Sequence, residues 1–398
     1  MKFDPASRIQ DTWVFGEFGG VNPSITDSST YTFLNPDKMA ELFDHEIEGC
    51  YLYSRHFNPI NKYLCTALAA MEGTEDAHVT ASGMSAISSC ILQLCEAGDH
   101  IISSWTIYGG TYAFLNNFAP RLGINVSFVD LNDKSAIESA MTERTKIIYC
   151  ESISNPLMNI PDFDMLSKIA AKNEAVLMVD NTFSPMILSP VQYGADVVLY
   201  SMTKFINGSS DCVAGAVCST KDFIANLMDV NKGACMLLGP VLDSLRAASI
   251  LKNLHTLHIR MKQHSQNALY LATLLHDKGI RVYYPGLPDH PQHQLMNKIM
   301  NKQFGFGGMI AFEAGTLKRA NRLMVLMQEA KVGYLAVSLG YFKTLFSAPA
   351  HSTSSEIPED LQKKMGLTDS LVRLSVGLDN DIERIGQRII ECFEKLDK

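Results

Sequence analysis

Between residues 61 and 255, short apolar runs alternate with helical patterns, and no other feature limits the chain's possible folds so much. The runs are HVTAS, HIISS, INVSFVD, KIIYCES and AVLMVDN, and a hairpin-like pair, VVLYS and VAGAVCS, closes the series. Short unbroken apolar runs suit strands buried on both faces, and the helices between them supply the cover. The pattern predicts the α/β class: a three-layer αβα large domain whose sheet is mostly parallel, with right-handed crossovers. One covering helix is expected over 61–72, after a turn at Asn58 and Pro59. Another is expected from about Gly83 to Glu96, with Ala86, Ile87, Cys90, Ile91, Leu94 and Cys95 as its apolar positions and Gly98 as its stop.

The flanks read differently. Residues 1–60 are rich in Gly, Asn, Pro, Ser and Thr with little helical period, so they predict an extended arm lying across another surface. A long helical pattern over 241–280 leads into 256–398, which mixes the strands IRVYYP, GGMIAFEAG and LVRLSVG with helices over 316–330 and 380–396. A smaller α+β domain with a largely antiparallel sheet is expected there. The division is therefore an arm (1–60), a large domain (61–255) and a C-terminal small domain (256–398).

Charge and cysteine usage remove several function classes. With 42 acidic against 34 basic residues, a net charge of −8 and no long basic run, the chain lacks a nucleic-acid footprint. Its nine cysteines are odd in number, scattered and never spaced CxxC, which disfavours a disulfide framework and a metal site alike. The start, MKFDPASRIQ, carries no apolar leader and no stretch is long enough to span a bilayer, so a cytoplasmic protein without a membrane partner is expected.

Parallel strands bring their carboxyl ends to one edge, where open α/β sheets bind ligands. LYSMTKFINGSS places Lys204 at such an end, where desolvation lowers an amine from ~10.4 toward neutrality and makes it a nucleophile. A lone lysine there more often snorkels to water, but this one has company. MVDNTFSP ends its strand in Asp180, and ESISNP presents Asn155 from a turn. ASGMSA puts Ser82, Gly83 and Met84 at a helix start, which either suits a phosphate or is simply capped by Ser82. Ser201 and Thr203, two apart on a segment read as extended, would face the same way and add phosphate ligands. Phosphate, acid and aldehyde-reactive lysine together describe pyridoxal 5′-phosphate, with Lys204 as the Schiff-base residue and Asp180 keeping the pyridine nitrogen protonated. Tyr108, in TIYGGTY, is either a flat face for that ring or a half-buried loop tyrosine.

The ordered set YSRxxNP, SGMSA, YGGT, DNTFxP, SMTKFINGxSD, AVSLGxxxTL and RLSVG resembles the Cys/Met metabolism family of fold-type I pyridoxal-phosphate enzymes. Within it, GEFGGVN, PGLPDHPQH and TSSE (Thr353 to Glu356) are most similar to the plant-type methionine gamma-lyases. The resemblance implies that Lys204 holds the cofactor and moves protons, Asp180 pairs with the ring nitrogen and Asn155 bonds the ring oxygen. It implies a phosphate cup of Gly83, Met84, Ser201 and Thr203, completed by Tyr53 and Arg55 from a neighbouring subunit, in a homotetramer built as a dimer of dimers with shared sites. Tyr108 would stack on the ring and protonate the leaving thiol, with Tyr53 beside it, and Arg373 with Ser338 would hold the substrate carboxylate.

The implied reaction is α,γ-elimination of L-methionine, an amino-acid substrate, to methanethiol, 2-oxobutanoate and ammonia. Cystathionine γ-lyase or γ-synthase and O-acylhomoserine sulfhydrylase activities are the alternatives. Four positions depart from relatives, and two of them, Gly110 and Val337, are expected to contact the substrate: Gly110 stands where bacterial methionine gamma-lyases have Cys, Ser209 where many members have His, and Lys252 where Arg is usual. Val337 replaces the Glu of cystathionine-cleaving members, and an apolar residue there suits a methylthio group.

Overall fold

The computed structural model describes residues 3–12, 16–33, 35–44, 49–352 and 354–396, so parts of the predicted arm (13–15, 34, 45–48) and Thr353 of the TSSE segment lie outside the described residues. Every apolar run of the large domain is a strand: β1 (Asp76–Thr80), β2 (His100–Ser104), β3 (Asn125–Val129), β4 (Thr145–Glu151), β5 (Val176–Asp180), β6 (Val197–Ser201) and β7 (Gly215–Ser219). They form one sheet in the order β1-β7-β6-β5-β4-β2-β3. β3, β2, β4, β5 and β6 are mutually parallel, while β7 pairs antiparallel with both β6 and β1.

Successive side chains on a strand point to opposite faces, and the two faces carry separate cores. Ile148, Leu177, Val179, Val198 and Tyr200 pack in one with Leu64 and Leu68 of helix α1 (Pro59–Glu72). Ile147, Tyr149, Met178, Val197 and Leu199 pack in the other with Ile87, Cys90 and Ile91 of helix α2 (Gly83–Leu94). This is the expected three-layer arrangement. Both helices begin where their caps dictate: the Asn58 side chain accepts from the Ile60 N–H at 3.1 Å with Pro59 in the first position, and Ser82 caps α2 reciprocally with Ser85.

The pattern over 241–280 resolves into α3 (Ser244–Leu254) and α4 (Leu257–Asp277). Beyond it lies the smaller sheet of β8 (Val282–Tyr283), β9 (Met309–Glu313), β10 (Tyr334–Leu335), β11 (Leu345–Ser347) and β12 (Leu371–Ser375), ordered β10-β11-β12-β9-β8 and antiparallel except for β10 with β11. Its third core packs Leu271 and Leu275 of α4 against Leu323 and Met327 of α5 (Leu317–Glu329) and Ile385 and Ile389 of α6 (Ile382–Leu396).

Two sequence expectations need correction. The first 60 residues are not uniformly extended, since Pro5–Gln10 and Pro36–Asp44 are helices. The first is capped by Asp4, lies on its own large domain with Ile9 in the core, and donates from Arg8 Nε to the Ala70 carbonyl at 3.0 Å. At six residues it is too short to show a period, and its cap and its proline at the start were the readable signals. Secondly, β6 ends at Ser201 and residues 202–207 coil into turns, so Thr203 does not continue an extended segment.

On the α1 side of the sheet Glu72 is fully buried, accepting from the Tyr200 hydroxyl and from the Val191 N–H at 3.3 Å. Burial pushes its carboxyl from 4.5 up to about 8, against the pull of these hydrogen bonds. The folded chain therefore keeps a proton there that the unfolded chain releases, and stability falls as pH rises from about 4.5 to about 8 before levelling off. Glu72→Gln is expected to remove that component of the slope, read as the melting temperature of both proteins from pH 5 to 9.

Candidate active site

Glu151, Asp180 and Ser201 are the last residues of β4, β5 and β6, and each continues the alternation of the side chains that face α2. Three adjacent strands thus deliver two carboxylates and a hydroxyl to one edge. With the start of α2, the turns after β6 and the small-domain segment Val337–Leu339, they enclose a cavity of about 320 Å³. Ser82, Gly83, Met84, Tyr108, Asn155, Asp180, Ser201, Thr203, Lys204, Val337, Ser338 and Arg373 all line it, so the structure brings together most of the residues singled out above.

The close approach of α2 to β6 depends on Gly83. A Cβ there would stand 2.7 Å from Ser201 Cβ, closer than packed carbons come. An α-helix leaves its first N–H groups without internal partners, so the start of α2 can offer those of Gly83 and Met84 to an anion. Thr203 exchanges hydrogen bonds with Ala214, donating to its carbonyl at 3.3 Å and accepting from its N–H at 3.0 Å.

Lys204 donates from Nζ to Ser338 Oγ at 2.9 Å. Burial, reinforced by the Arg373 guanidinium, lowers its amine from 10.5 to about 8. Gly340 makes this junction possible: its φ of +79° is left-handed, and a Cβ would lie 2.4 Å from the Phe205 nitrogen. Asp180 accepts from the Thr182 N–H at 2.9 Å, and Thr182 Oγ1 in turn accepts from the Ser201 N–H at 2.8 Å. Burial raises the Asp180 carboxyl against those Thr182 bonds, a state that a cationic partner would relieve.

Arg373, on β12 and 3% exposed, donates to Asn155 Oδ1 at 2.8 Å and more weakly to the Ser338 carbonyl and Ser347 Oγ, both at 3.5 Å. Because Asn155 receives Arg373 on its oxygen, its amide nitrogen is the end left to donate elsewhere. Tyr108, 42% exposed, also lines the cavity. Gly110 lies outside the cavity lining and meets the site through that ring, since a Cβ on it would stand 2.5 Å from Tyr108 Cε1. Tyr53 and Arg55 also lie outside: Arg55 donates to the Met236 carbonyl at 2.9 Å and its guanidinium sits 5.8 Å from the Tyr53 ring centre.

Sequence reasoning missed Glu151, Thr182, Ile153 and Phe183, all of which line the cavity. Glu151 carried the same signal as Asp180, an acid closing an apolar run, and Thr182 is two residues beyond Asp180 in the same motif. The donor set fits pyridoxal phosphate: helix N–H groups and hydroxyls for a phosphate, a desolvated carboxylate for a ring nitrogen, a lysine of lowered basicity for an aldehyde, and an aromatic face for a flat ring.

Comparison with known proteins agrees with that geometry. The sequence pattern of the Cys/Met metabolism PLP-dependent enzymes matches residues 10–389. The chain belongs to this family. It is 44% identical to a methionine gamma-lyase of Arabidopsis thaliana over 99% of this chain and 91% of that protein. It is 38% identical to an L-methionine gamma-lyase of Fusobacterium nucleatum over 95% of each. Among solved structures, a Campylobacter jejuni chain described as an O-acetylhomoserine (thiol)-lyase superposes with a TM-score of 0.91 at 29% identity, covering 98% of this chain and 100% of that one. That structure carries an N′-pyridoxyl-lysine-5′-monophosphate.

A Cβ at residue 83 is expected to push Ser201 out of the cup and spoil the phosphate end. Gly83→Ala should raise the dissociation constant for pyridoxal phosphate about tenfold or more, measured by visible absorbance on the apo chain, and lower the melting temperature of that chain by a few degrees.

Proposed function

We propose that this chain is a carbon–sulfur lyase that eliminates the γ-substituent of L-methionine: L-methionine and water give methanethiol, 2-oxobutanoate and ammonia. The observation that carries the reading is the pairing of one buried guanidinium, Arg373, with an otherwise apolar wall of Val213, Val337 and Leu339 in the same cavity. A fork-shaped cation suits the substrate carboxylate, and an apolar wall suits a methylthio group. The full-length similarity to methionine gamma-lyases supports it.

When bound, pyridoxal phosphate supplies an electron sink that acidifies the substrate's α- and then β-hydrogens. The protein's part is positional and acid–base. Asp180 would hold the ring nitrogen, and Gly83, Met84, Ser201 and Thr203 would hold the phosphate. Arg373, with Ser338, fixes the carboxylate so that the hydrogens to be removed face Lys204. With its amine near pH 8, Lys204 accepts and returns protons at neutral pH. The Tyr108 phenol, held above its ordinary value chiefly by burial, donates to the departing sulfur.

Tyr53 and Arg55 complete the phosphate cup of a second subunit, within a homotetramer assembled from two such dimers. Their position outside this chain's own cavity and the 44% exposure of Tyr53 support that placement. A cytoplasmic setting is part of the same proposal, and the nine free cysteines accord with it. Among the described residues no helix is long and apolar enough to cross a membrane.

Comparing kcat/KM for methionine, cystathionine, homocysteine and O-acetylhomoserine tests the reaction. Methionine should exceed cystathionine by about tenfold or more, and Val337→Glu should narrow or reverse that ratio. A methionine value below the others would refute the substrate. The shared site is tested by mixing two inactive variants, Lys204→Ala and Arg55→Ala: after subunit exchange, activity should recover to about a quarter of wild type, because a mixed dimer retains one intact site.

A further inference from the structure

Glu151 lies at the centre of the hydrogen bonds that order this site. It ends β4 beside Asp180 of β5 and is 7% exposed. Its two oxygens serve two different loops. Oε1 accepts the Tyr108 N–H at 2.7 Å, and Oε2 accepts the Asn155 N–H at 2.9 Å. Asn155 then passes the constraint on, because its Oδ1 takes Arg373 Nη1 at 2.8 Å. Burial and the neighbouring Asp180 push its carboxyl up to about 8 against the pull of these two N–H bonds, so in the alkaline range where a phenol titrates it is a carboxylate accepting on both oxygens, whereas a carboxamide would turn an N–H toward one of the two donors.

We propose that Glu151 is the positioning residue of this site, fixing the backbone of Tyr108 and the turn at Asn155 and, through Asn155, the bearing of Arg373. The proposal rests on the reading above of Tyr108 as proton donor and Arg373 as carboxylate holder. A side chain that merely satisfied two loop N–H groups would affect stability alone, whereas Glu151 also contributes charge at the reacting end. Tyr108 is raised first by burial, then by the Glu356 carboxylate, with Arg373 opposing and Glu151 adding to the rise. Lys204 and Asp180 line the same cavity. Removing the Glu151 charge therefore lowers the phenol's pKa, so a rate that needs the protonated phenol declines at lower pH.

The test compares Glu151→Gln, Glu151→Asp and, as a control for a buried side chain next door, Ser152→Ala. Each is assayed as pyridoxal-phosphate holoenzyme for kcat/KM from about pH 6 to about 11.5, so that the limb of a phenol titrating above 10 falls inside the range, for cofactor dissociation constant by visible absorbance, and for melting temperature. The substrate is whichever of the four named above wild type turns over best, so failure on methionine refutes the substrate reading and leaves this test intact. Glu151→Gln should lose about 10- to 100-fold in kcat/KM, move the basic limb of the profile to lower pH, and bind the cofactor several-fold more weakly. Glu151→Asp, which keeps the charge but withdraws it by one methylene, should lose kcat/KM with the limb unmoved, and it decides the matter should Glu151→Gln fail to fold. Ser152→Ala should change melting temperature alone. Wild-type kcat/KM and limb in Glu151→Gln, or in Glu151→Asp should that be the only soluble variant, would overturn the proposal, as would a Ser152→Ala profile shifted like that of Glu151→Gln.

Discussion

Two cations and two carboxylates line one cavity, each largely buried, and the rest of the site follows from keeping them in balance. Lys204 and Arg373 face Glu151 and Asp180 across about 320 Å³, and burial pulls the cations down while it pushes the acids up. An isolated charge in such surroundings would cost several kcal/mol, so each group survives by its partners. Glu151 takes two N–H groups, Asp180 takes Thr182, and Arg373 takes Asn155. Lys204 has a neutral hydroxyl, Ser338, and a repelling guanidinium nearby, which with burial leaves its amine with basicity suited to neutral pH.

The two domains divide this work. The large domain contributes both carboxylates from adjacent strand ends and the lysine from the turns that follow β6, because parallel pairing forces those ends to one edge. The small domain contributes Arg373 from the middle of β12 and Ser338 from the loop that Gly340 lets settle on the backbone of Lys204 and Phe205. Arg373 and Lys204 therefore belong to different folding units that meet at a glycine. Small shifts at that junction would alter the reaction geometry without unfolding either core.

Much of this was readable in the chain because it follows from simple periodicities. The apolar runs became strands within two residues of their expected ends, and Asp180 and Lys204 stood out as charges at or just beyond the close of such runs. Glu151 carried the same mark and was passed over, since nothing local reveals that its two oxygens reach loops 43 and 4 residues away. The turn that swings Thr203 back onto Ala214 was likewise hidden, because the register of β7 against β6 decides it. The helix Pro5–Gln10 was missed through shortness, and Gly110, read as a substrate contact, packs behind Tyr108 because only the folded loop shows which side of the ring it occupies.

The account depends most on Lys204 being a desolvated amine that reacts with an aldehyde at neutral pH. The direct measurement is the rate at which the apo chain gains visible absorbance on mixing with pyridoxal phosphate, followed from pH 6 to 11. The account predicts a rise with a midpoint at about 8, a higher midpoint in Arg373→Leu, and no protein-linked absorbance in Lys204→Ala. A midpoint near the ~10.4 of an exposed lysine, or a Lys204→Ala chain that develops the same absorbance, would contradict it.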